Sequence, residues 1–390
     1  MWSARVLLIA LRLLISEICS VCLALPDVNP ITRIRFEHTS HAHWSGRSGY
    51  TQFVRHLDAQ RFRRLLHGAS DSNADLAWLL PIWPLLKVLI QRGRMPWYKL
   101  SDLNAELFAL ASCLIGRTDI VHFLDGEHSG QYLPRLVRLV NLSKVRTIVT
   151  FHQPPQIAND FVNGDLLRWF DHIVLVSPSQ VPFFVQYVPE DRIDVILHGV
   201  DVEFFSPAIS RGETRDFHCL TVGHWLREWN VLRQIANALP DMTFDVVPAG
   251  RQIDFGGLAN VHLHHSIDDA SLAEVYRRAD VLLLPLIDAT ANNALLEGMA
   301  SGLPVVVTDL PAIRTYLSSG GVFVPNNSVD GFIAALQSLK RDTGLRHALG
   351  RTVRARAEQL AWPRLVPEYE ALYRKVLARP AIGRARTQNR

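Results

Sequence analysis

Asn292, Asn293 and Glu297 stand close together in A-T-A-N-N-A-L-L-E-G-M-A-S-G-L-P-V-V-V-T-D, a segment that ends at Asp309. An asparagine at 292 or 293 can cap a helix, whose first N–H groups then form an anion site. Glu297 falls about one helical turn inside, where its carboxylate can reach a hydroxyl of a sugar beside that site. Backbone donors next to one carboxylate suit a sugar nucleotide. On spacing alone, a plain βαβ unit with a solvated Glu297 accounts for the segment equally well. Two further places could touch a ligand. The loop H-A-H-W-S-G-R-S-G carries Gly46 and Gly49, which let backbone N–H groups approach closely. His152 closes an apolar run in T-F-H-Q-P-P, and a histidine at a strand's carboxyl end in an open α/β sheet is a ligand candidate by topology.

The elements that must position these groups follow from patterning. Val281 to Leu284 is an apolar run without alternation, as in a parallel strand covered on both faces. Gly302 ends the helix after it, and Pro304 forbids continuation into the strand Val305 to Val307. Similar runs predict parallel strands at Ile31 to Glu37, Ile120 to Leu124, Arg146 to Phe151 and Ile173 to Ser177. Others fall at Phe217 to Val222, Thr243 to Val247 and Val261 to Leu263. Tyr50 to Leu66 reads as a helix, as do Leu272 to Ala279 and Trp362 to Leu377. Trp78 to Leu100, rich in Trp, Leu and Pro, reads as a buried connection whose aromatics are core. The residues alone therefore predict two doubly wound α/β domains with a cleft between them.

A chain of 390 residues is too long for one ordinary core, which also implies two domains. A hydrophobic fraction of 48% with 20% charged residues excludes a disordered chain. The net charge of +4 hides a cluster of Arg55, His56, Arg61, Arg63, Arg64 and His67, which reads first as a solvated face. No basic motif interleaved with aromatics points to nucleic acid. Cys19, Cys22, Cys113 and Cys219 are too few and too scattered for a disulfide framework, which fits a reducing cytoplasm. His262, His264 and His265 lack neighbours at metal-ligand spacing, so no metal site is expected. Val6 to Leu25 is mostly apolar, but Arg12 and Glu17 interrupt it, and a mid-span charge costs about 2.5–3.5 kcal/mol. Residues 1–30 are read as a peripheral or disordered extension; an in-plane helix, an uncleaved anchor and a stretch upstream of the true start stay open.

The segment from Ala291 to Asp309 resembles the donor site of the retaining family-4 glycosyltransferases (group 1 type, GT-B fold). H-G-V-D-V-E-F-F-S-P, ending at Pro207, resembles the linker motif of the same family. The resemblance runs from about Arg33 to Leu377, and by analogy with related enzymes implies that Trp78 to Leu100 faces a membrane or a bulky acceptor. It implies an acceptor-side domain over 31–207, a donor-nucleotide domain over 208–361, a crossover helix over 362–377 and a disordered tail over 378–390. The chain would move a sugar from a nucleoside diphosphate sugar to a glycan, lipid-linked or small-molecule acceptor, with retention and without a metal or other cofactor. It would work in the cytoplasm, with a peripheral contact to the cytoplasmic face of a membrane as a further expectation. Glu297 matches the second of the family's two glutamates, and the first falls at Ala289, which makes Asp288 its substitute. The family's V-G-R-x-x-x-x-K-G reads V-G-H-W-L-R-E-W-N here, so His224 and Trp229 replace two cations. Arg227, beside the turn at Gly223, is then the candidate partner of the diphosphate. The turn at Ser266 would cup the base, and His152 would assist at the sugar. The missing cations also allow an idle GT-B protein that binds a sugar nucleotide or serves as a partner subunit. An epimerase or a phosphorylase of the same fold would need site groups that are not identifiable here.

Overall fold

The computed structural model describes residues 31–40, 46–70, 83–92, 95–208, 216–318 and 320–381. The expectations for the extension 1–30 with Cys19 and Cys22, for loop residues 41–45, and for the tail beyond 381 lie outside them; at the start of the tail expected over 378–390, Ala378 instead closes the last helix and the Arg379 carbonyl accepts from Arg146 at 2.8 Å. So do residues 78–82, 93 and 94 of the Trp-rich stretch.

Two six-stranded sheets, every pairing parallel, form the frame. The first contains β1 (Thr32–Ser40), β2 (Phe62–Ser70), β3 (Ile120–Phe123), β4 (Arg146–Phe151), β5 (His172–Leu175) and β6 (Ile193–Val195), in the order β2-β1-β3-β4-β5-β6. The second contains β7 (His218–Val222), β8 (Thr243–Val247), β9 (Val261–Leu263), β10 (Val281–Leu284), β11 (Val305–Thr308) and β12 (Gly321–Val324), in the order β12-β11-β10-β7-β8-β9. Both orders are doubly wound, and each reverses direction once: between β1 and β3, and between β7 and β10. Strands β3, β4, β5, β10 and β11 are buried along their whole length, as expected of mostly apolar parallel strands covered on both faces.

One expected element is wrong. Tyr50 to Leu66 is no helix: a 3-10 turn at Gln52–His56 leads through a turn at Asp58 into the edge strand β2. Phe53, Val54, Leu57 and Phe62 are buried at helix-like spacing, and that spacing imitated an amphipathic helix. The Asp58 carbonyl instead accepts from Arg61 and Phe62 and turns the chain into the sheet. The cationic cluster is broken up in consequence. Arg64 donates to the Val54 and Leu57 carbonyls, Arg61 pairs with Asp58, and His67 meets Glu37.

In the Trp-rich stretch, Leu86, Met95 and Tyr98 pack with Leu100 and Leu103 into a small core of their own. No helix among the described residues is long and apolar enough to cross a membrane. The helix Trp362–Ala378 returns to the first sheet and buries Trp362, Leu365, Tyr369 and Tyr373 against Phe36, Phe53 and Phe62. Where it leaves the second domain, Val200 N donates to the Leu360 carbonyl and Trp362 N to the Val200 carbonyl. The two crossings between domains thus run side by side.

Candidate active site

Ligands of open α/β sheets gather outside the strands' carboxyl ends, at the point where strand order reverses. Here both reversal points open onto one cleft. From the second domain come the loop after β7, carrying Gly223 and Arg227, and the loop after β10, carrying Asp288 to Asn292. From the first come the loop after β1 and the turns after β3 and β4. Two cavities lie along this cleft. The larger, about 600 Å³, is lined by His152, Asp288, Asn292 and Asn293 together with Tyr50, Gln153 and Trp225. The smaller, about 190 Å³, is lined by Ser48, Gly49, Asn293 and Glu297. Asn293 lines both and joins them.

The helix Asn293–Ala300 is capped as expected, with Asn292 Oδ1 accepting from Leu295 N at 3.1 Å. Gly302, at φ +67°, ends it. Glu297 is buried, not solvated: Tyr276 Oη donates to its Oε2 at 2.8 Å, and Ser48 of the first domain donates to its Oε1. Burial raises its pKa to about 7, against the pull of the Ser48 and Tyr276 hydrogen bonds.

Arg227 is buried as well. Its Nε and Nη2 donate to the Val222 carbonyl and its Nη1 to Trp225, and Nη2 stands 3.4 Å from Asn292 Oδ1. Gly223, at φ +84°, lies against it, and a Cβ there would come within 2.9 Å of Arg227 Nη2. Burial lowers the guanidinium pKa to about 10, so it stays charged at neutral pH beneath the capped helix. Trp229 turns into the core of the second domain, edge-on to Phe255, away from the cleft.

His152 Nε2 lies 2.8 Å from the Leu124 carbonyl, which can only accept. Burial lowers the ring's pKa, so the neutral ring carries its proton on Nε2 and leaves Nδ1 as an acceptor. Tyr50 stacks on it at 4.4 Å and donates to Asp125 at 3.0 Å. Glu127 Oε1 accepts from the backbone N–H groups of His152 and Gln153, both at 2.7 Å, and fixes the turn that carries them. Burial and the nearby Asp125 push the Glu127 carboxyl well above its ordinary range. Asp288 lines the larger cavity half-buried, accepting from Ala289 N at 2.7 Å, and burial raises its pKa.

Ser266 is exposed at φ +53° and lines neither cavity. Gly46 faces Asp269, at the start of the helix that follows that turn. His264 and His218 both bond Asp245, and no group among the described residues could hold a metal ion. Several site residues escaped sequence reasoning. Asp125 and Glu127 directly follow β3, so the carboxyl-end rule that found His152 could have found them. Ser48 sits between the two loop glycines, and Trp225 lies inside the quoted V-G-H-W-L-R. Tyr276 gave no signal, because only packing brings it to Glu297.

Residues 203–342 match the family described as Glycosyl transferases group 1. A D-inositol 3-phosphate glycosyltransferase of Paenarthrobacter aurescens is 29% identical over 53% of this chain and 58% of its own length. A phosphatidyl-myo-inositol mannosyltransferase of Mycolicibacterium smegmatis is 30% identical over 37% of this chain and 40% of its own. The matches thus span about half the length of these curated relatives. Among solved structures, a sucrose-phosphate synthase of Thermosynechococcus elongatus superposes with a TM-score of 0.68, at 15% identity over 89% of this chain and 99% of that one. An Anabaena protein solved with UDP and glucose gives 0.59, at 13% identity over 88% and 99%.

Proposed function

We propose that this chain, a GT-B protein whose residues 203–342 belong to the group 1 glycosyl transferases, moves a sugar from a nucleoside diphosphate donor to an acceptor held mainly by the first domain. One observation carries the reading. A cleft cavity places the acceptor groups of His152 and Asp288 opposite a capped helix N-terminus, above a buried cation and beside a buried carboxylate.

The donor's parts then find distinct partners. Glu297 accepts the ribose hydroxyls, which replace the Ser48 hydroxyl now bound there. The diphosphate rests on the N–H groups at Asn293 and the turn at Gly223, with Arg227 beneath them. These fixed dipoles and the guanidinium stabilise the charge that develops as the sugar–phosphate bond breaks. His152, neutral, accepts a hydroxyl of the transferred sugar at Nδ1, and Asp288 takes the place of the family's first glutamate. The configuration is retained and no metal is required. Membrane contact, where it occurs, is peripheral.

The first test is a thermal-shift panel of nucleoside diphosphates and their sugars on wild type and Glu297→Ala, in EDTA. A ligand at about 100 times its dissociation constant adds roughly 2.7 kcal/mol. A shift with one donor that vanishes in the variant is the expected result. The absence of a shift with every nucleotide refutes the reading. Asp288→Ala is expected to bind the donor and lose turnover; unchanged turnover removes Asp288 from the mechanism.

A further inference from the structure

The larger cavity is lined by one indole that donor binding leaves unused, and a second indole packs against it. Trp225, in the loop after β7, is 41% exposed although it borders a cavity. Its Nε1 donates to Gln153 Oε1 at 2.9 Å, which fixes the ring across the cleft. Gln153 is itself held: Glu127 accepts from its N–H, and Gln180 Nε2 donates to its carbonyl at 3.0 Å. Trp97, from the first domain, meets Trp225 at 5.7 Å and 68°. His128 stacks on Trp97 at 4.9 Å, and Phe161 packs against it at 4.0 Å. The pair forms an apolar corner in which the Trp225 indole stays partly exposed, beside the hydrogen-bonding side chains of Gln153 and Asp288.

We infer that Trp225, braced by Trp97 and Gln153, is an acceptor subsite that stacks the C–H face of a neutral sugar ring. This inference rests on the transferase reading above and adds the class of acceptor to it. The face of an indole carries negative charge and attracts polarised C–H groups, while ring hydroxyls reach the amide and carboxylate at its edge. At the indole itself, away from the helix N-terminus and Arg227 that would take the donor diphosphate, the neighbouring Asp288 carboxylate favours a neutral ring over a phosphorylated one. Arg47, at the smaller cavity, faces Asp201 and lies over the Phe204 ring. The acceptor inferred here is thus unlike the phosphorylated or lipid-linked inositol that the relatives' names specify.

Binding is read by tryptophan fluorescence and saturation-transfer NMR, with UDP present and absent, so that no turnover is needed. The probes are methyl α-D-glucopyranoside, maltose and inositol 1-phosphate, on wild type, Trp225→Ala and Trp225→Phe. Maltose or the glucoside is expected to bind at least tenfold more tightly than inositol 1-phosphate. Trp225→Ala should lose at least tenfold of that affinity, while Trp225→Phe, which gives up the same cross-cleft hydrogen bond to Gln153, should keep most of it. Inositol 1-phosphate binding as well as the sugars overturns the inference, as does failure of every sugar to bind. Sugar binding that Trp225→Ala leaves intact also overturns it and makes the Trp pair a domain contact. If sugars bind by way of Trp225 while no nucleotide binds, the subsite stands and the transferase reading falls.

Discussion

Burial raises the Glu297 carboxyl to a pKa of about 7, and its hydrogen bonds to Ser48 and Tyr276 offset only part of that cost. The unfolded value lies near 4.3. Between roughly pH 4.5 and 7 the folded chain holds a proton that the unfolded chain has released. Stability therefore falls as pH rises through that window. Glu297→Gln should remove this slope, gaining up to about 3 kcal/mol over wild type at pH 8 and almost nothing at pH 4, by urea melts at both. Donor binding should run the other way, because an ionised carboxylate accepts two ribose hydroxyls and a protonated one accepts fewer. Titrations should show affinity declining as pH falls below 7, with the decline absent in Glu297→Gln. Asn292 separates capping from charge. Asn292→Ala should cost about 1 kcal/mol of stability as the cap is lost. Asn292→Asp should keep the cap and weaken donor binding by repelling the diphosphate, which melts and titrations on the two variants will distinguish.

The helix Asn293–Ala300 delivers Asn293 and Glu297 to the cleft only because it lies close against β10. Gly298 permits that approach: a Cβ there would stand 2.6 Å from Leu282 Cδ2. Gly298→Ala must push the helix off the strand, at about 1–3 kcal/mol of overpacking. Because the helix moves as a unit, donor affinity should fall further than stability alone explains. Melting curves read beside nucleotide titrations will show this, and a variant with normal donor affinity would place the helix elsewhere. The element scale also explains the false helix at Tyr50 to Leu66. Burial of Phe53, Leu57 and Phe62 was legible as a pattern, but a turn at Asp58 serves the same burial with a strand.

At the scale of the whole molecule, one helix ties the domains together. Trp362 begins it, packs near His198 of the linker at 4.9 Å and Phe53 of the first domain at 5.9 Å, and is fully buried. Trp362→Ala should cost about 3–5 kcal/mol. The loss falls on the first domain's core, so calorimetry should show one transition move down while the second-domain transition stays in place. A single transition shifting as a unit would mean that the domains unfold together. Contacts across the cleft add to this tie. Trp225 meets Gln153, Thr290 donates to the His152 carbonyl, and Tyr316 Oη donates to the Val176 carbonyl at 2.7 Å.

By itself the sequence determined most of the doubly wound strands, though not β2 or β12, a helix cap at Asn292 or Asn293, the stop at Gly302 and the helix from Trp362. Each depends on local backbone chemistry or on burial repeating with a fixed period, and both are written along the chain. It also placed His152 at a strand end and Asn293 and Glu297 at a helix start, the family resemblance pointed to Asp288, and the fold gathers them in one cleft. Only the tertiary structure decided what those groups face. That Glu297 is buried against Tyr276 and Ser48, that Arg227 spends its donors on carbonyls, and that Trp225 opens a face beside Gln153 are contacts between residues far apart in sequence. Such contacts depend on how two sheets meet, and no spacing along the chain records that meeting.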